Sequence, residues 1–184
     1  MTVQELTLSE IESLMLSERG RFVELHRGQL REKPSTSESH NIVIWRLVDQ
    51  LVPQLDRDRY QLRLNMGRVR RGEENYYIPD LYVVPIVGSD SIRHRPYRLE
   101  VFDQPLPLIV EAWSPSTGGY DVDEKLPEYL KRGDREIWRP HYEFTLTTWR
   151  RQSDGEYAMS VHRTGTIEPI ALPGVVIDLD ALFA

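Results

Sequence analysis

The apolar positions of this chain fall into segments whose period changes along its length. Ile11, Leu14 and Met15 recur at helical spacing behind a Thr7/Glu10 pair at capping-box distance, which predicts an opening helix of about three turns. Residues 21–25 and 29–33 read as two short strands joined across Gly28. The loop 34–39 holds several residues suited to an N-cap. After it Ile42, Trp45, Val48 and Val52, with Ile44, Leu47 and Leu51 beside them, predict a broad apolar core helix that Pro53 ends. Residues 60–70 alternate as one strand, with Leu62, Leu64 and Met66 on one face and Gln61, Arg63 and Asn65 on the other. A turn over 71–75 brings the chain back as a strand over 76–85. Residues 88–104 have no clean period and read as a long excursion. An apolar strand at 108–113 then leads through a Ser/Thr/Gly loop to a helix bearing Lys125, a short strand at Glu136-Ile137-Trp138, and a hairpin of 144–151 with 156–163 joined through Asp154-Gly155. Leu172-Pro173-Gly174 precedes an apolar tail. This order predicts one α/β domain over residues 1–184, a mixed sheet flanked by helices.

Composition narrows the classes. At 184 residues and 40% hydrophobic content the chain can bury a sizeable core. It has no cysteine, which excludes disulfides and thiolate metal sites and fits an intracellular protein. The first residues lack the pattern of a signal peptide and no apolar run approaches the roughly 20 residues of a membrane span, so a soluble cytoplasmic protein is expected. A net charge of −6 argues against coating nucleic acid by bulk electrostatics, though not against a local basic groove. There is no phosphate-binding loop, dinucleotide fingerprint, serine elbow or His-Glu-x-x-His, and the five histidines are scattered. Any metal should therefore be bound by oxygen, which points to magnesium or manganese.

The chemistry concentrates in two strands. Glu111 interrupts the apolar run Leu108-Ile109-Val110, and an ionised group in such a core costs several kcal/mol unless paired, hydrogen-bonded or bound to a cation. Asp80 has a similar setting, since Pro79 fixes an extended entry into Leu81-Tyr82-Val83-Val84. The two carboxylates are expected at the ends of neighbouring strands. Asp121 and Lys125 follow on the next element. Two strand-borne carboxylates with a lysine are the parts of a magnesium-dependent phosphodiesterase.

The order Pro79-Asp80, apolar strand to Glu111, Ser114-Pro115-Ser116-Thr117, then Asp121, Lys125 and Tyr129 resembles the Uma2 family, a branch of the PD-(D/E)XK restriction-endonuclease-like superfamily. Glu24 before Gly28, His40 opening a helix, and the closing Leu172-Pro173-Gly174 extend the resemblance over nearly the whole chain. The usual superfamily lysine lies two residues after the glutamate, where this chain has Trp113; Uma2-like sequences carry it on the following helix, at the place of Lys125. The resemblance implies a restriction-endonuclease-like core and a Mg2+- or Mn2+-dependent endonuclease hydrolysing DNA. Asp80 and Glu111 would hold the metal with the Ala112 carbonyl, Lys125 would position water or offset charge, and Glu24 would bind a second metal or its water. His40 and Asp121 are accessory candidates. A homodimer is expected by analogy.

Several residues carry two readings. Glu24 is either a solvent-facing or arginine-paired strand residue or part of the site. His40 either faces the site or completes a surface hydrogen bond. Arg63, Arg68, Arg70 and Arg71, with Arg93, His94, Arg95 and Arg98, are a phosphate-binding surface or an ordinary solvated face. Residues 114–119 are a backbone anion nest or a plain connection. Because Pro127 disfavours a helix interior, the helix is expected to start at Asp123 as N-cap rather than at Asp121; a first-turn Lys125 would reach the carboxylates less readily. The rival function is a nuclease-fold module that no longer cuts and binds nucleic acid or protein.

Overall fold

A computed structural model describes residues 7–86, 98–116 and 118–184. Helix α1 (Leu8–Leu16) opens on the expected capping box, with Thr7 and Glu10 exchanging side-chain to backbone bonds. Strands β1 (Val23–His26) and β2 (Gln29–Glu32) form a hairpin. Helix α2 (Glu38–Gln54) is capped by Ser37 and runs through Pro53 for one more residue, so the proline costs a bond of the last turn without ending the helix where the sequence predicts. Its core stripe is Ile44, Leu47, Val48 and Leu51, an i, i+3, i+4, i+7 set. Ile42 and Trp45, expected in the core, lie outside that stripe and are 42% and 60% exposed.

The strand expected over 60–70 is two strands, β3 (Tyr60–Leu64) and β4 (Arg68–Arg71), which lie in different sheets. Asn65 and Gly67, at φ 45° and 63°, turn the chain out of one sheet into the other, and Met66 is left exposed between them. The returning strand divides in the same way into β5 (Asn75–Tyr77) and β6 (Leu81–Pro85), with Ile78-Pro79-Asp80 as the crossing. Pro79 has no N–H for a ladder, which favours the break there. Of the long excursion, residues 87–97 lie outside the described residues and Val101–Phe102 forms a short strand, β7.

Strand β8 (Leu108–Val110) leads into a helix continuous from Gly118 to Arg132: a first turn α3 (Gly118–Tyr120), a π-helical turn (Asp121–Lys125) and α4 (Leu126–Arg132). Then come β9 (Glu136–His141), β10 (Thr145–Arg151), β11 (Tyr157–His162), β12 (Thr166–Ile167), β13 (Ile177–Asp178) and α5 (Leu179–Leu182). One sheet has the order β2-β1-β5-β4-β7 and the larger β11-β10-β9-β8-β6-β3; a third pairs β12 with β13. In the larger sheet β8 and β9 are parallel and the helix is their crossover. Its central strands are apolar on both faces. Leu81, Val83, Leu108, Val110 and Trp138 pack with α2, whereas Tyr82, Val84, Ile109 and Ile137 pack with Tyr120 and Tyr129.

Candidate active site

Sheet register brings the two strand carboxylates together. β6 and β8 run antiparallel with Leu81 opposite Val110, so Asp80, one residue before, and Glu111, one residue after, leave the sheet side by side. Glu111 shares the face of Ile109 by the two-residue period, which is the face the crossover helix covers. Its N–H donates to the Trp138 carbonyl at 3.0 Å, which ties the strand end to β9.

The crossover helix delivers the lysine. It starts at Gly118, earlier than the sequence predicts, and Gly118 packs directly on Trp113: a Cβ there would lie 2.1 Å from the indole nitrogen. Thr117 lies outside the described residues. Lys125 is thus beyond the first turn, and the π turn carries Asp121 and Lys125 inward on one side. The Leu126 N–H bonds the Asp121 carbonyl, and this widened ladder accommodates Pro127 at the head of α4. Lys125 Nζ lies 2.9 Å from Glu24 Oε1, 3.2 Å from Glu111 Oε1 and 3.3 Å from Asp121 Oδ1, with its side chain 1% exposed. Glu24, on β1, is wholly buried rather than solvent-facing, and among the described residues its ion pair is with Lys125 rather than an arginine; it also accepts the Ile78 N–H at 2.7 Å.

Asp80 sits in a second set of contacts. Its Oδ1 accepts from Lys33 Nζ at 2.7 Å, and its Oδ2 lies 2.7 Å from His40 Nε2 and accepts the Ala112 N–H at 2.8 Å. His40 therefore faces the cluster from the first turn of α2. Ala112 contributes its N–H to Asp80, where the sequence pointed to its carbonyl. Lys33 and Tyr129 have contacts that sequence reasoning left unassigned. The Tyr129 hydroxyl donates to Glu111 Oε1 at 2.6 Å. The available signal for Lys33 was its rarity, one of three lysines in the chain.

Burial and charge set the protonation of the cluster. Desolvation, with Asp121 and Asp80 near, outweighs Lys125 and pushes the Glu111 carboxyl up to about 8. Burial would raise Asp80 too, but Lys33 and His40 outweigh it and hold the carboxyl well below the usual range. For Lys125 burial favours the neutral amine, and the charges of Glu111, Glu24 and Asp121 reverse this, keeping it an ammonium. Tyr129 is driven up by burial and by Glu111.

Four of the arginines expected as a phosphate surface are tied into the fold, while Arg98 is exposed. Arg63 pairs with Glu100, Arg70 with Asp103 and Arg71 with Glu128, while Arg68 donates to the carbonyls of Gly20, Arg21 and Gly67. Arg93, His94 and Arg95 lie outside the described residues. Beside His40 and Trp113 a groove of about 270 Å³ opens, walled by Arg46, His141, Tyr142 and Phe144. The rings of Trp113, His141 and Tyr142 have mutual centroid distances of 4.3–4.7 Å, and Tyr142 is 54% exposed.

The donor chemistry of the cluster fits a hard divalent ion: it offers carboxylate oxygens, and the buried Glu24 Oε2 accepts no hydrogen bond of normal geometry. Among the described residues no three His, Asp or Glu side chains converge as a ready metal cage. Both Asp80 oxygens are engaged by protein donors, Oδ1 by Lys33 and Oδ2 by His40 and the Ala112 N–H, so an ion at Asp80 competes with them for the carboxylate. No described helix is long and apolar enough to cross a membrane.

Residues 8–180 match the model of the Uma2 family, described as "Putative restriction endonuclease". No curated protein matches the chain. Among solved structures, one from Anabaena variabilis, described as a "putative nuclease belonging to DUF820", aligns over 97% of each chain with a TM-score of 0.74 at 20% identity, a likeness of fold.

Proposed function

The chain belongs to the Uma2 family, and on that premise we propose that it is an endonuclease that hydrolyses DNA phosphodiester bonds at the Asp80–Glu111–Lys125 cluster. The observation that carries this reading is the buried ammonium of Lys125 shared by Glu24, Glu111 and Asp121 beside Asp80. Structural ion pairs of this depth gain little net stability over an apolar core of the same volume, so their retention fits a charge that works on a substrate.

Asp80 and Glu111, with Glu24, would hold a Mg2+ or Mn2+ ion. When bound, such an ion polarises the phosphoryl oxygen and makes water a stronger nucleophile at neutral pH. The remaining work falls to the side chains. Lys125, held as an ammonium, offsets the negative charge that grows on the phosphoryl oxygens. Tyr129 and Lys125 both grip Glu111 Oε1 and fix the carboxylate's orientation. His40 and the Ala112 N–H do the same for Asp80. The ring-lined groove beside His40 and Trp113 supplies a stacking surface for an unpaired base next to the scissile phosphate.

The test is cleavage of single- and double-stranded DNA with Mg2+, Mn2+ or chelator, comparing wild type with Glu111→Gln. Metal-dependent cleavage that falls at least ~100-fold in the variant is the expected result, since even outer-shell partners of a metal are worth 10- to 100-fold. Full activity in Glu111→Gln refutes this mechanism. The second reading, a non-cutting binding module, draws on the engagement of both Asp80 oxygens by Lys33, His40 and Ala112. DNA binding without cleavage under any metal supports it instead.

A further inference from the structure

The contacts of Lys33 are those of a bound cation. Its ammonium has three N–H donors, and three oxygens take them: Asp80 Oδ1 at 2.7 Å, the Ile78 carbonyl at 2.7 Å and Asn65 Oδ1 at 2.8 Å. A carboxylate, a backbone carbonyl and a side-chain amide are the ligand types that hard divalent ions select. All three come from the two segments where the chain crosses between sheets, so the fold itself builds this oxygen cage. We infer that Lys33 is a resident, exchangeable counter-ion, and that a divalent cation entering the cluster displaces its ammonium from the cage of Asp80, Ile78 and Asn65.

The two buried lysines of the cluster are mounted differently. Lys125 projects from the middle of the crossover helix, is 1% exposed and is enclosed by Glu24, Glu111 and Asp121, so it has nowhere to go. Lys33 follows β2, the edge strand of its sheet, whose four residues are all exposed. Its side chain is 7% exposed and reaches inward from the surface. Swinging that side chain out breaks only the three contacts to the cage oxygens, while the backbone N–H of Lys33 keeps its bond to the Phe22 carbonyl at 2.8 Å. With Lys33 gone and no other cation in its place, Asp80 would keep only His40 and the Ala112 N–H, both on Oδ2, and its Oδ1 would be left buried without a partner. Lys33 supplies that partner until a metal arrives. Asp80 is the ligand that the Glu111 and Glu24 side of the cluster shares with this cage, and a divalent ion drawn in to about 2.0–2.6 Å on Asp80 repels the ammonium held 2.7 Å from the same carboxylate.

This inference rests on the metal-binding part of the nuclease reading, but its test does not use cleavage. The three lysines provide an internal scale: Lys125 buried, Lys33 exchangeable, Lys131 with its side chain 56% exposed. Wild-type protein is acylated with a limiting amine reagent, with chelator or with Mn2+, and labelling at each lysine is read by mass spectrometry. The expected result is Lys131 labelled in both states, Lys125 in neither, and Lys33 slow with chelator and rising toward Lys131 with Mn2+. In parallel, calorimetry of Mn2+ on Lys33→Met should give at least ~10-fold tighter binding than wild type, and this gain should vanish in Lys33→Met/Asp80→Asn. Lys33 labelling that stays slow while Mn2+ binds overturns the inference, as does equal or weaker Mn2+ binding by Lys33→Met. Absence of Mn2+ binding in both proteins overturns it as well. Should Lys33→Met fail to fold, the wild-type labelling decides alone. A protein that exchanges Lys33 for Mn2+ but cleaves no DNA refutes the nuclease reading and keeps this one.

Discussion

Replacing Lys125 by Met keeps the length and most of the volume of the side chain and removes one charge. Three carboxylates lose their shared partner: Glu24, Glu111 and Asp121, at 2.9, 3.2 and 3.3 Å. Removing one member of a buried ion pair costs about 3–5 kcal/mol, because the remaining charge stays buried and unpaired. For a chain of this size each kcal/mol moves the melting temperature by about 2–4 °C, so Lys125→Met should melt roughly 6–20 °C below wild type. Glu111, already pushed up to about 8, can relieve part of the excess by holding its proton, which places the loss toward the lower end near neutral pH. The second arm is Lys125→Met/Glu111→Gln. With one carboxylate removed, the double variant should lose less than the sum of the single losses, by a coupling of about 0.5–3 kcal/mol. Thermal and urea unfolding at pH 7.5 in chelator, read by circular dichroism, measure all four proteins. A drop under about 2 °C in Lys125→Met, or strictly additive losses, would refute the argument that this ammonium neutralises the buried carboxylates.

Other consequences can be measured on the same protein. The unfolded Glu111 ionises near its ordinary 4.5 while the folded one holds its proton to about 8, so its contribution to stability is full below pH 4.5 and is lost as pH rises through 8. The melting temperature of Glu111→Gln relative to wild type should therefore climb across pH 5–8; a flat difference contradicts the raised carboxyl. Gly118→Ala drives a methyl into the Trp113 indole, 2.1 Å from its nitrogen. Overpacking of this kind costs about 1–3 kcal/mol, and a shifted indole emission with a lower unfolding midpoint should report it. Tyr142→Ala should weaken binding of single-stranded oligonucleotides, in chelator, by about 5- to 150-fold if a base stacks in the groove, from the ~1–3 kcal/mol of one base–aromatic contact. Unchanged affinity in fluorescence anisotropy removes the stacking surface from the proposal.

Much of the fold was legible because its signals are local. The Thr7/Glu10 capping box, the Gly28 hairpin, the Asp154-Gly155 hairpin and the apolar run ending at Glu111 each state their conformation within a few residues. The errors sit where tertiary context decides. Residues 60–70 and 76–85 alternate as single strands, and nothing in the period marks that each changes sheet midway. Trp45 looks like core by type, yet the stripe of Ile44, Leu47, Val48 and Leu51 already fills the contact with the sheet. At the candidate site, Asp80, Glu111, Glu24, Lys125, Asp121 and His40 are brought into one cluster. Pro127 argued for a late helix start because a π turn leaves no mark in composition. Lys33 was hidden for a related reason, since 47 residues separate it from Asp80 and only the hairpin's docking joins them.

The crossing of the chain between its two large sheets has a bearing on when this cluster comes into existence. Glu24 lies in the hairpin of the five-stranded sheet and Lys33 just after it, Asp80 and Asn65 in the crossings, Glu111 at the end of a strand in the six-stranded sheet and Lys125 in the helix beyond. No short stretch of contiguous sequence holds it, and every ion pair in it except Asp121–Lys125 and Glu111–Lys125 joins residues at least 40 apart. Long-range contacts of this kind form late, after loop-closure entropy has been overcome. A nascent or half-folded chain therefore carries the same residues without their arrangement, and any activity that depends on the cluster is withheld until folding is complete.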